Sequence, residues 1–256
     1  IRIVLSEQTY GAVGLMTQMG LGPDQMHGLV WLILIATAAG SLTSAFTMNP
    51  AKLYKPIAIA LGLIAVGAFM DAHSTVLTRP GQLYFSQALI AFAAAFFIGP
   101  AMMTGIVQVI QKGAQNLVSF IVVFGIGQNV GGLLGSALVG TLQTVREKFH
   151  SSQLSESVTL GDPDVVLRLQ QLSGAYARVI GDPALRATQG QQLLQQQISQ
   201  QANVLAYNDV FLLIGVFAAI GCVWVTLNHL RPRIAARRAA RQTEAADAAA
   251  AASAID

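Results

Sequence analysis

Apolar positions along the chain gather into six stretches, each long enough for a helix that crosses a bilayer, with short polar breaks between them. A hydrocarbon core of about 30 Å takes about 20 residues of helix. The stretches run Ile1–Met19, Leu29–Met48, Leu53–Ala72, Leu83–Ile106, Leu117–Leu142 and Tyr207–His229. The breaks GLGPDQ, MNPAKLYKP, the segment ending TRPGQ, and QKGAQN are made of turn residues. Lipid offers no partners to backbone N–H and C=O groups, and no alternating strand pattern is present. The spans therefore read as helices, and the fold class as an all-α polytopic membrane bundle.

The fifth break is of another kind. Residues 143-204 are polar and rich in glutamine, yet Val165, Leu169, Leu172, Tyr176 and Val179 recur at spacings 4-3-4-3, the seam of an amphipathic helix. Asp162-Pro163 predicts its start and Gly181-Asp182-Pro183 its stop. A second helix is predicted from Pro183 or Gln189 through LLQQQISQQANVLAYND into the last span, with Leu194, Ile198 and Leu205 placed to face the first. This helical insert either caps the outer face or docks a partner. The chain thus divides into residues 1-142 (five spans), 143-204 (insert), 205-230 (last span) and 231-256 (a basic, Ala-rich tail).

Composition agrees with the pattern. Hydrophobic residues make up 54% of the chain and charged residues 11%, against roughly 25% charged in soluble domains. Too few charges remain to keep a water-facing surface wet. Basic residues favour cytoplasmic short loops. Lys52 and Lys55, Lys112, and Arg231, Arg233, Arg237, Arg238 and Arg241 lie on one side, while the opposite short loops hold Arg79 beside Asp24 and Asp71. This predicts a cytoplasmic C-terminus and an insert on the outer side. The chain opens on Ile1 inside an apolar pattern, without the basic region and cleavage site of a signal peptide. It reads as the later part of a longer protein.

Candidate chemistry is sparse. Glu7 is the acid set well inside an apolar stretch, and it shares a helical face with Gly11, Gly14 and Gln18, with Tyr10 beside it. A carboxylate at membrane depth is costly unless it faces protein or water. Glu7 reads either as a proton carrier or cation binder, or as an interfacial acid paired or hydrated near Arg2. Gln87 lies near the outer end of the fourth span, and Gly99-Pro100 predicts a bend in it. In the fifth span Gly127, Gly131 and Gly135 form a ridge that admits a close neighbour. Gln128 and Asn129 near its middle could bond a substrate or join two helices. Asn208 and Asp209 either cap the entry to the last span or hold it to the insert. The four histidines lie apart and show no metal-ligand spacing. No grouping of nucleophile, base and acid suggests an enzyme, and no phosphate loop or nucleic-acid motif is present. No cofactor is implied.

SEQTYGAVGLM in the first span, the NPAKLYKP turn, GQNVGGLLGSALVGT in the fifth span and QANVLAYNDVFLL entering the last one resemble the major facilitator superfamily. Within it they look like the 14-span drug:proton antiporter branch (EmrB/QacA type), and the chain corresponds to that fold's C-terminal six helices. The resemblance implies export of amphipathic compounds driven by inward proton flow, with the first and fourth spans lining the cavity and Glu7, Tyr10 and Gln87 upon it. It also implies partners: a preceding N-terminal half, the lipid bilayer, and, through the insert, a periplasmic adaptor (membrane fusion protein) with an outer-membrane channel. The alternative is a non-transporting membrane scaffold that binds a partner through the insert.

Overall fold

A computed structural model describes residues 7–49, 53–158 and 162–253, and within them the side chains of 7–10, 114, 157 and 231–253 lie outside the description. Every regular element in it is helical: α1 Glu7–Gln18, α2 Pro23–Thr47, α3 Tyr54–Asp71, α4 Tyr84–Lys112, α5 Leu117–Ser157, α6 Pro163–Gly174 and α7 Pro183–Ser253, with short 3-10 turns at Pro80–Leu83 and Ala114–Asn116. Five of these, α2, α3, α4, α5 and α7, are long and apolar enough to cross a membrane. The first expected span is described only from Glu7, as the 12 residues of α1.

Apolar periodicity and turn chemistry account for the helix limits. Gly20 and Gly113 take positive φ at the turns after α1 and α4, where a side chain would strain the backbone. Pro23 opens α2, where a missing N–H costs nothing.

The helices pack in a network rather than in sequence order. α2 lies along α4, α3 is held between α4 and α7, α5 lies along α7, and α1 leans on α7. Small residues set these approaches. A Cβ at Gly40 would run into the backbone carbonyl of Phe92, so α2 and α4 meet backbone to backbone there. Ile64, Ala68, Ala93, Val139, Val210 and Ile214 fill the centre, and Leu15, Met16, Leu29, Leu83, Val204 and Phe211 fill the space between α1, α2 and α7. Leu34, Ile35, Leu42 and Phe46 of α2 point outward, as a lipid-facing surface would.

Three features differ from the sequence expectation. The first insert helix ends at Gly174, not near Val179; Gly174 has poor helix propensity, and Ala175–Val179 form turns closed by bonds such as Val179 N–H to Tyr176 C=O. Its start is as the sequence suggests, with the Asp162 carboxylate accepting from Asp164 N–H at 2.9 Å. Second, no helix break marks the start of the insert, because residue 143 lies within α5. Third, of the two roles open to Asn208 and Asp209, capping a helix entry does not apply. They lie inside α7, which has no free N–H groups there, and so their side chains reach other elements.

Candidate functional site

A carboxylate that the sequence places in a loop is buried inside the bundle. Asp71 is the last residue of α3 and is 1% exposed. Gly67 stands one turn earlier on the same face, where an added Cβ would strike Ile90 and come within 3.0 Å of the Ser86 carbonyl oxygen. That close approach lets α3 meet the first turn of α4. It delivers Asp71 to Ser86 and Gln87.

Gln87, 0% exposed, donates from Nε2 to Asp71 Oδ2 at 2.6 Å. The Ser86 hydroxyl lies within hydrogen-bond reach of both Asp71 Oδ1 and the Leu83 carbonyl oxygen, the latter at 3.1 Å. Among the described residues, no lysine, arginine or histidine pairs with Asp71. A buried carboxyl is tolerable only when hydrogen-bonded, and two side chains of α4 supply those bonds here.

The turn after Asp71 ties the group to α7. Ser74 Oγ donates to the Asp71 carbonyl oxygen at 2.8 Å, and Asn208 Nδ2 donates to the Ser74 carbonyl oxygen at 2.8 Å. A second polar group lies further along α7. Asp209 Oδ2 accepts from Arg146 Nε at 2.6 Å and stands 2.7 Å from His150 Nε2, both on α5. Gln143 Nε2 also donates to Asn203 Oδ1 at 2.9 Å across the same pair of helices.

At the opposite end of α3 a cavity of about 700 Å³ opens between α3, α4 and α7. Tyr54, Leu61, Thr104, Gln108, Trp224 and His229 line it, with the Tyr54 and His229 rings stacked at 3.2 Å between centroids. Thr104 and Gln108 bring polar groups of α4 to its wall.

Of the residues singled out from sequence, Gln87 joins the Asp71 group, and Asn208 reaches it through Ser74. Gln128 is half-buried and Asn129 exposed on α5, and neither bonds Asp71. The glycine ridge is divided: Gly135 is buried, Gly131 half-buried, and Gly127 has nothing within 4 Å of an added Cβ. Glu7 and Tyr10 belong to the backbone of α1, but their side chains lie outside the described residues. Gly14, on their face, meets the Tyr207 phenol, whose oxygen would lie 2.7 Å from an added Cβ.

Sequence reasoning missed Asp71 because an acid ending an apolar run looks like a loop residue. One signal was available. A carboxylate at a helix C-terminus opposes the helix dipole, and α3 has no basic residue in its last turn to offset it.

The chain is similar to the multidrug export protein EmrB of Escherichia coli strain K12 and to that of Escherichia coli O157:H7. Each is 26% identical over 149 residues, 56% of this chain and 26% of the relative. The matched region therefore spans about a quarter of the length of these relatives. No family model matches the chain, and no solved structure matches it. The protein is an all-helical, multi-pass membrane protein with distant similarity to a multidrug exporter.

Proposed function

We propose that this chain is the C-terminal six-helix half of a proton-coupled efflux transporter of the major facilitator type, exporting amphipathic compounds across a bacterial inner membrane. The observation that carries the reading is Asp71, buried with Gln87 and Ser86 inside a largely apolar helix bundle. Ionisable groups inside a membrane bundle mark ion or substrate paths more often than structural ones. Similarity to a multidrug export protein supports export as the task. Glu7 and Tyr10 on α1, and Gln128 and Asn129 on α5, are further candidates for the proton and substrate pathway.

A preceding N-terminal half fits the unfilled face of α5. Around Gly127 that helix presents Val123, Ile126 and Val130 to the outside, with open space at the glycine. Such a face admits another helix closely. On the basic-residue distribution, Asp71 faces the outer side and the Tyr54–His229 cavity the cytoplasm. At 1.5 Å per residue, the 41 residues of α5 extend about 60 Å, roughly twice a hydrocarbon core. Its far end, α6 and the start of α7 then stand outside the membrane, where a periplasmic adaptor leading to an outer-membrane channel would meet them.

The test is transport by the complete protein in liposomes with an imposed pH gradient, using ethidium as the probe. Gradient-driven ethidium movement that collapses with a protonophore is the expected result. Movement indifferent to the gradient would rule out proton coupling. Deleting residues 155–200 tests the adaptor contact, which should abolish adaptor co-purification without removing the spans.

A further inference from the structure

We infer that Asp71 is a proton-exchange site whose two protonation states are both served by Ser86, with the hydroxyl reversing its role between them. The inference takes its purpose from the efflux reading above, but its chemistry is argued from the site itself.

The argument is a proton inventory. Gln87 Nε2–H occupies Asp71 Oδ2 as a donor at 2.6 Å, so a proton added to the carboxyl goes to Oδ1. Ser86 has one hydroxyl proton and two acceptor oxygens around it, Asp71 Oδ1 and Leu83 C=O. When Asp71 is a carboxylate, the Ser86 proton points to Oδ1. When Asp71 is a carboxylic acid, the Oδ1 proton points to Ser86 Oγ, and the Ser86 proton turns to the Leu83 carbonyl. Both states keep the hydrogen bond between Oδ1 and Oγ with no heavy atom displaced, and the acid state adds the bond from Oγ to the Leu83 carbonyl. An alanine at 86 would serve neither, and a lysine or arginine beside Asp71 would hold it in one state.

The surroundings fit exchange with solvent. Asp71 ends its helix, and the turn that follows carries exposed His73 and Thr75. A proton crosses only that turn to reach water. The same turn is held to α7 through Asn208 and Ser74, so movement of α7 against α3 would alter the mouth of the site.

Among the described residues, the other titratable groups on the elements around Asp71 lie or bond elsewhere: Asp24 pairs with His27, and Arg79 is exposed. The His73 ring bonds the Phe69 carbonyl. The Tyr84 phenol lies against Gly28, and the Tyr207 phenol against Gly14. Asp209 holds Arg146 and His150. Lys55 and Lys112 lie at the far ends of α3 and α4, and His229 stacks on Tyr54 at the start of α3.

The experiment is pH-difference infrared spectroscopy of the complete protein in membranes, reading the carboxylic-acid C=O band from roughly pH 5 to roughly pH 9. A one-proton band is expected that shifts when aspartate carboxyls are isotope-labelled. It should vanish in Asp71→Asn and move its midpoint in Ser86→Ala. Asn mimics the protonated acid, with Oδ1 accepting from Gln87 and Nδ2 donating to Ser86, so this variant should fold. If it does not, the Ser86→Ala midpoint and the isotope shift still decide. A titrating band that survives Asp71→Asn, or a midpoint unmoved in Ser86→Ala, overturns the inference. Ethidium transport separates the two readings: proton-coupled transport with a silent Asp71 refutes the site alone, and a titrating Asp71 without coupled transport refutes the efflux mechanism alone.

Discussion

Arg146 on α5 donates its Nε to Asp209 Oδ2 on α7 at 2.6 Å, and His150, one turn further along α5, stands 2.7 Å from the same oxygen. One carboxylate thereby clasps the two longest helices where α5 leaves its apolar stretch. The Arg146 guanidinium also lies over the Phe149 ring, 5.0 Å from its centroid, which fixes its orientation.

Asp209→Ala should therefore loosen α5 from α7. The Arg146 and Asp209 side chains are about one-third exposed, so solvent screens part of the attraction. The expected loss is about 1–2 kcal/mol, read as a lower Tm of the purified protein in detergent. An unchanged Tm would mean that the clasp does not bear on stability.

The Asp71–Gln87 bond calls for a double-mutant cycle. Gln87→Leu alone leaves a buried carboxyl oxygen without its donor, at a cost of about 2–3 kcal/mol. Adding Asp71→Leu removes the orphan. The two changes should then be non-additive by about 1–3 kcal/mol. Strict additivity in unfolding measurements would show that the two side chains do not act as a pair.

Gly67 and Gly127 should respond in opposite ways to alanine. At Gly67 the new methyl meets Ile90 and the Ser86 carbonyl, and overpacking of this kind costs about 1–3 kcal/mol. It should also push Asp71 off Ser86. At Gly127 there is open space, so Gly127→Ala should leave thermal stability unchanged. In the complete transporter, the bulkier Gly127→Leu should lower ethidium transport if another helix closes on that face.

Gly190 of α7 faces Ser173 of α6, where a Cβ would collide with the hydroxyl and lie 3.1 Å from the Ser173 backbone nitrogen. Gly190→Val should lift α6 from α7 without touching the membrane helices. Hydrogen exchange should rise across residues 163–174 and stay unchanged in α3 and α4. Equal protection of α6 in both proteins would show that it is not held by this contact.

Residue pattern made most of the helices legible. The apolar runs lead to α2, α3, α4 and α5, Asp162-Pro163 marks the start of α6, and Leu194 and Ile198 line one small cavity with Val165 and Leu169 of the 4-3 seam. These are local properties, because a helix repeats every 3.6 residues wherever it sits. Gln87 was visible as a polar group in an apolar run for the same reason.

Asp71 was not. Its significance rests on residues 15 and 16 positions away, and nothing in the spacing of one helix tells which face of another it will meet. Asn208 and Asp209 show the same limit, since their partners Ser74, Arg146 and His150 lie 59 to 134 positions away. The chain by itself determined an all-helical membrane protein and its turns, because hydropathy and backbone hydrogen bonding act along the sequence. Only tertiary structure decided that Asp71 is an interior group. The rotation and approach of α3 against α4 depend on how side-chain volumes mesh, and there the missing side chain of Gly67 brings the two helices together at Ser86.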